Sequence, residues 1–137
     1  MAIIDNRELV RRFIEGVWGK ADMDLADQII ASDLIDHTPV SGVPGNREGY
    51  KQLVHALHTA FPDLSLSLDR VIVDGDVAVD YWTCRGTHQG EFMNVAPSGK
   101  PVTFSGIDIL KIEDGQIVET WHIEELLQLV QQITSKD

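Results

Sequence analysis

Asp108 and His122 are the residues of this sequence whose types and placement best suit proton transfer. They lie in alternating apolar runs, 105–112 and 116–124, on either side of Glu113-Asp114-Gly115. A three-residue loop with Gly115 left-handed sets Ile112 opposite Gln116, Asp108 opposite Thr120 and Gly106 opposite His122. Asp108 and His122 are then diagonal neighbours on one face, within reach of each other. Phe104, Leu110 and Ile112 share that face, and Gly106 leaves space there for a ligand. A carboxylate beside an imidazole fixes its tautomer and stabilises the imidazolium, so His122 is read as the base and Asp108 as the group that orients it. A two-residue Asp114-Gly115 turn instead puts the two side chains on opposite faces. A buried hydrogen bond with no catalytic part uses the same two residues.

Other side chains offer less. Trp82, Tyr50 and Trp18 are candidate walls for a planar ligand, although large aromatics also serve as plain core. His55 and His58 stand three apart on a helical run, but no third convergent ligand accompanies them, so no metal site is expected. The single cysteine, Cys84, reads as a small apolar strand residue; one cysteine excludes an internal disulfide framework and a Cys-based zinc site, and fits a reducing compartment.

Helices must position these groups from one side. Leu9, Val10, Phe13, Ile14, Val17 and Trp18 recur at helical spacing behind an Asp5/Glu8 capping box, with Ile4 and Leu9 as a hydrophobic staple, and Gly19 closes the helix. Asp24 is read as the cap of a second helix through Leu25, Ala26, Ile29 and Ile30, followed by a short extended piece, Leu34 to His37. The stretch 38–45, rich in proline and glycine, reads as an ordered loop. Asn46 starts a third helix with Tyr50, Leu53, Val54, Leu57 and Phe61 on its buried face, stopped by Pro62. From Leu64 the period becomes two, through Leu64 to Leu68, Val71 to Val73 and Val77 to Tyr81. Turn signals at Asp74-Gly75-Asp76 and Asp114-Gly115 predict antiparallel hairpins, and Glu125 to Ile133 a last helix. Helices followed by a meander predict an α+β domain spanning residues 1–137, with three N-terminal helices packed on a strongly curved, mainly antiparallel sheet that encloses a pocket, plus a C-terminal helix.

Composition narrows the partners. Acidic residues outnumber basic ones 22 to 11, for a formal charge of −11, so nucleic acid is not an expected partner. No apolar run approaches the roughly 18 residues of a membrane span, and the N-terminus lacks a basic region followed by an apolar stretch, so the expected setting is the cytoplasm. Trp121 alternates away from His122 onto the outer face of the sheet, where apolar side chains predict a homodimer.

Read in order, Leu9-Val10-Arg11-Arg12-Phe13 with Val17-Trp18, Asp36-His37, Asn46-Arg47-Glu48-Gly49, Phe61-Pro62-Asp63-Leu64, 85–92, Pro97-Ser98-Gly99-Lys100, Gly106-Ile107-Asp108-Ile109 and 113–121 resemble the SnoaL-like polyketide (ester) cyclases, over nearly the whole chain. The resemblance implies the cone-shaped α+β barrel of the nuclear-transport-factor-2-like superfamily, and an intramolecular aldol ring closure without metal or cofactor. In that family an acidic residue just after the tryptophan of the last strand is the acid–base catalyst, assisted by a histidine on the neighbouring strand. Here His122 follows Trp121 and Asp108 holds the neighbouring position, so the pair is exchanged. His37 and His88 match recurring family positions, which implies substrate contact at the pocket mouth.

The expected function is therefore a cofactor-independent cyclase-type enzyme, catalytic through His122 and Asp108, with His37, His88, Trp82, Tyr50 and Phe104 around a small apolar substrate. Two alternatives stand: water activation for hydrolysis or epoxide opening, with Arg85 as electrophile, and a non-catalytic protein that shelters a small ligand.

Overall fold

The computed structural model describes residues 5–136; the staple residue Ile4 lies outside them. Asp5 accepts a hydrogen bond from the Glu8 amide at 2.8 Å and starts α1, Asn6–Arg12, which continues as a wider π-helical turn through Phe13–Trp18. Only half of the capping box forms, because the Glu8 carboxylate turns to Arg11 and Arg12. Helix α2, Met23–Ile29, is capped by Asp22 and not Asp24: the Asp22 carboxylate takes the Leu25 amide at 3.0 Å and leaves Asp24 in the first turn. Strand β1, Ile30–Asp36, follows without a loop and is longer than its sequence signal. Asn46 caps α3, Arg47–Ala60, and the chain leaves the helix at Phe61 ahead of Pro62.

The sheet comprises β1, β2 (Ser65–Asp74), β3 (Val77–Thr87), β4 (Pro101–Glu113) and β5 (Gln116–Glu124), and α4 (Leu126–Thr134) closes the chain. Their order is β1-β5-β4-β3-β2; β1 runs parallel to β5 and the other pairs are antiparallel, so the sheet is mixed and open at β1 and β2. Alternation sends Ala78, Trp82, Cys84, Phe104, Leu110 and Ile112 inward against Leu9, Phe13, Val17, Tyr50 and Phe61 of the helical layer. On the other face Ile72, Tyr81, Ile107, Ile109 and Ile123 are exposed. No helix among the described residues is long and apolar enough to cross a membrane.

The β4–β5 hairpin differs from the sequence reading in a way that matters to the site. Asp114 and Gly115 both have positive φ, 52° and 75°, and form a two-residue turn with Glu113 opposite Gln116. Alone, that turn would put Asp108 and His122 on opposite faces. A bulge intervenes: Ile112 pairs with Ile117 but Lys111 pairs with Glu119, so Val118 is the extra residue and the facing of the rest of β5 is inverted. Asp108 therefore stands directly opposite His122, and Gly106 opposite Glu124.

Contrary to the sequence reading, Gly106 leaves no space for a ligand. A Cβ there would lie 2.2 Å from Cζ2 of Trp82, because the indole occupies that space. Gly106→Ala is expected to displace the buried indole and destabilise the fold by about 1–3 kcal/mol, read as a lower urea midpoint.

Candidate active site

A cavity of about 400 Å³ lies between the helices and the sheet. Its walls are mostly apolar, from Ile14, Trp18, Leu53, Leu57, Leu66, Phe92 and Phe104, and at one end Asp108, His122 and Glu124 reach it beside Tyr50 and Trp82. The loop between β3 and β4 contributes Glu91, Phe92, Met93 and Asn94 to the wall, and the loop before α3 contributes Val40, Ser41 and Val43.

His122 is buried and held between two carboxylates, neither of them Asp108. Its Nε2–H donates to Asp36 Oδ2 at 2.7 Å, and its Nδ1–H donates to Glu124 Oε1. Asp36 ends β1 and reaches His122 because β1 pairs in parallel with β5. Thr38 fixes this junction: its amide donates to Asp36 Oδ1 at 3.1 Å, and its hydroxyl accepts the His122 amide at 2.7 Å and donates to the His122 carbonyl at 3.1 Å. Burial alone would lower the imidazole pKa, but the hydrogen bonds to Asp36 and Glu124, with their charges, raise it to about 10. His122 is thus a cation at neutral pH, which changes its expected part from base to fixed positive charge. Burial pushes the Asp36 carboxyl up, yet the His122 and Thr38 hydrogen bonds outweigh it and leave Asp36 below its ordinary range.

A pH dependence of stability follows. The imidazole titrates at about 10 in the fold against an ordinary 6.5, so its stabilisation is complete below about pH 6.5 and is lost as pH rises through 10. Asp36 works in the opposite direction, stabilising above its ordinary 3.8 and ceasing as acid protonates it in the fold. Urea midpoints are expected to fall as pH rises from about 6.5 to about 10, and His122→Gln is expected to flatten that limb.

Asp108 belongs to a second group. Trp82 Nε1–H donates to its Oδ2 at 3.1 Å, and Asp80 lies directly across from it on β3. Asp80 is 1% exposed, and neither of its carboxylate oxygens finds a donor among the described residues. Burial raises Asp80 to about 6, partly offset by its contact with Asp108; burial, and then the negative charge of Asp80, hold Asp108 well above its ordinary value. Two buried carboxyls side by side do not both ionise readily, so the pair keeps a shared proton at neutral pH.

Tyr50 completes the floor. The Tyr50 hydroxyl is buried and without a hydrogen-bond partner among the described residues, and its ring stands 5.8 Å from that of His122. Burial, with the charges of Asp108 and Asp36, raises its pKa well above the ordinary 10, so it remains a neutral O–H donor. Cys84 also lines the cavity, where burial pushes its thiol up to about 12 and keeps it protonated.

The structure thus brings together Asp108, His122, Tyr50, Trp82 and Phe104 of the residues singled out in the sequence. His37 and His88 are elsewhere. His37 is exposed, bonded to Glu119 at 2.8 Å and stacked on Trp121 at 4.5 Å, because β1 has ended and its side chain turns to the outer face. His88 is fully buried and accepts the Ser98 amide at Nδ1 at 3.1 Å, holding the base of the β3–β4 loop. His55 is exposed, and His58 donates to the Trp18 carbonyl at 2.7 Å. Arg85 is exposed and does not line the cavity, which leaves water activation without its expected electrophile. Asp36, Asp80 and Glu124 were not foreseen, although two carried a signal: Asp80 interrupts an inward apolar alternation, and Glu124 shares strand parity with His122.

These features define a class: an α+β fold with helices on one face of an open mixed sheet, consistent with the nuclear-transport-factor-2-like cone, and titratable groups at the end of an apolar pocket. The model of the SnoaL-like polyketide cyclases matches residues 8–133, and the chain belongs to that family. A candidate polyketide cyclase from Bacillus cereus ATCC 10987 is 30% identical, with 91% of this chain and 77% of that one covered at a TM-score of 0.81. IdmH, a candidate polyketide cyclase from Streptomyces antibioticus, is 26% identical over 94% of this chain and 98% of its own, also at 0.81. A candidate SnoaL-like polyketide cyclase from Jannaschia sp. CCS1, 24% identical over 96% and 93%, shares the fold at 0.85. No curated protein matches the chain.

Proposed function

We infer that this chain is a cyclase-type enzyme that moves a proton next to a carbonyl, in an intramolecular aldol-type reaction on a small, mostly apolar substrate. The observation that carries this reading is the polarity of the cavity: apolar walls hold a substrate body, and Asp108, His122 and Glu124 reach it as one cluster beside Tyr50 and Trp82. Asp108 is the proton acceptor. When the carboxyl pair has lost its first proton, the remaining one rests mainly on Asp108, whose pKa is held higher, and its passage to Asp80 frees Asp108 to take a proton from the substrate carbon. Tyr50 donates its unpaired O–H to the enolate oxygen, and the His122 imidazolium, fixed by Asp36 and Glu124, balances the new charge. Trp82 positions Asp108 through its indole N–H. The enolate carbon then attacks a second carbonyl of the same substrate, closing the ring by a new carbon–carbon bond, and the proton returns from Asp108 to the alkoxide formed there, so no cofactor enters the balance.

Turnover of β-keto esters and similar polyketide-like carbonyl compounds tests the reading. Rate against pH is expected to rise through about 6, as the pair containing Asp80 loses its first proton, and to fall through about 10, as His122 loses its charge. A rate independent of pH across that range contradicts it. A protein that only shelters its ligand would bind these compounds without turning them over, and His122→Ala would leave their affinity unchanged. The same reading has two copies meeting at the outer face of the sheet around Ile107, Ile109 and Ile123. Light scattering is expected to give a dimer that Ile109→Lys separates, and a wild-type monomer contradicts it.

A further inference from the structure

We propose that the pocket floor also binds a divalent metal ion of the zinc type, through a carboxylate oxygen of Asp108, a carboxylate oxygen of Glu124 and Nδ1 of His122. One donor atom from each lies within 4.8 Å of the other two. Tetrahedral zinc with metal–ligand bonds of about 2.1 Å sets its donors about 3.4 Å apart, so side-chain rotations that bring together donors now within 4.8 Å close the site. One imidazole with two carboxylates is a donor set that zinc accepts, and three protein ligands leave a fourth position open.

The groups behind the donors suit the same assignment. Asp36 takes the Nε2–H of His122, which leaves Nδ1 as the nitrogen that can offer a lone pair, in the carboxylate–histidine–metal arrangement. Trp82 holds one oxygen of Asp108 from the protein side. Asp80 is a further sign that positive charge is wanted here: it is 1% exposed, stands against Asp108 on the neighbouring strand, and has no cationic partner among the described residues, only the proton it shares with Asp108. Four carboxyl groups, those of Asp36, Asp80, Asp108 and Glu124, share a single imidazole. A divalent ion supplies the missing charge and takes the place of the proton between His122 and Glu124. Its open position faces the cavity, where a carbonyl or hydroxyl oxygen of a bound molecule fits.

The inference goes beyond the proton-transfer reading and does not depend on it, because ion binding is measured without substrate. The chain is stripped with a chelator, then titrated with Zn²⁺ by calorimetry and with Co²⁺ by visible absorption. The expected result is one Zn²⁺ per chain and a Co²⁺ spectrum of a low-symmetry nitrogen and oxygen site. Glu124→Gln, a change at a partly exposed position that should leave the fold intact by circular dichroism, is expected to weaken binding at least tenfold. Asp36→Asn, which alters no ligand, is expected to weaken it about 10- to 100-fold. Absence of binding to the folded wild type at millimolar Zn²⁺ overturns the proposal, and so does an affinity unchanged in folded Glu124→Gln. Either failure leaves proton transfer measured in chelator untouched.

Discussion

Asp108→Asn is expected to lower turnover by about 10²–10⁴-fold and at the same time to raise the melting temperature at neutral pH. The activity loss follows from removing the proton acceptor while keeping its shape and the Trp82 hydrogen bond, which the asparagine carbonyl accepts equally well. The stability gain follows from the carboxyl pair. A carboxyl whose pKa is raised by folding costs stability above its ordinary pKa and nothing well below it; for Asp80 the cost grows between 3.8 and about 6 and is complete above that. Asparagine at 108 removes the carboxyl that burial and Asp80 hold protonated, and with it the cost of its raised pKa, and offers a fixed amide N–H to the Asp80 oxygens. A gain of roughly 3–6 °C is expected at pH 7.5, disappearing below about pH 4, where the wild-type pair is fully protonated. Calorimetric scans at both pH values check it. A residue that serves only the fold would lose stability on this change, so the opposed signs separate a functional carboxyl from a structural one.

Tyr50→Phe is the second large effect. The ring packs edge-on against Phe13 and Trp18 at 5.8 Å each, and phenylalanine keeps those contacts. The hydroxyl it removes has no partner among the described residues, so the fold is expected to be unchanged or slightly more stable. Loss of one donor to a developing oxyanion costs about 10²–10³ in kcat. The loss is expected in kcat with KM nearly constant, because the bond strengthens as negative charge forms on the substrate oxygen. Equal kcat in wild type and Tyr50→Phe would remove this residue from the chemistry.

Local signals carried most of the fold. The period of two from Leu64 onward, the Asp-Gly turn, the Asn46 cap and the Pro62 stop all mark structure within a few residues of themselves, and those elements stand where they were expected. The site was less legible because its decisive contacts are long-range. Asp36 and His122 are 86 residues apart and meet only through the parallel pairing of β1 with β5, which no turn signal announces. The bulge at Val118 carries neither glycine nor proline, yet it sets which face His122 occupies. Asp108 and His122 reached the expected shared face for a different reason, a two-residue turn with a bulge in place of a three-residue loop. Their chemistry then changed, since a histidine between two carboxylates is a cation and the aspartate opposite it shares a proton with Asp80. Burial was also unreadable for His37 and His88: their types suit a pocket, but one lies past the end of a strand on the outer face and the other is spent on holding a loop.

The most direct test of the central claim is exchange of the carbon-bound proton next to a carbonyl in deuterated water, followed by proton NMR on an apolar β-keto ester shown to bind the protein. Wild-type protein in the presence of chelator is expected to speed exchange well above the buffer rate, with Asp108→Asn slower by about 10² or more and the exposed His55→Ala unchanged. Exchange that is no faster than in buffer while the ester is bound, or that is as fast in Asp108→Asn as in the wild type, contradicts proton transfer by Asp108.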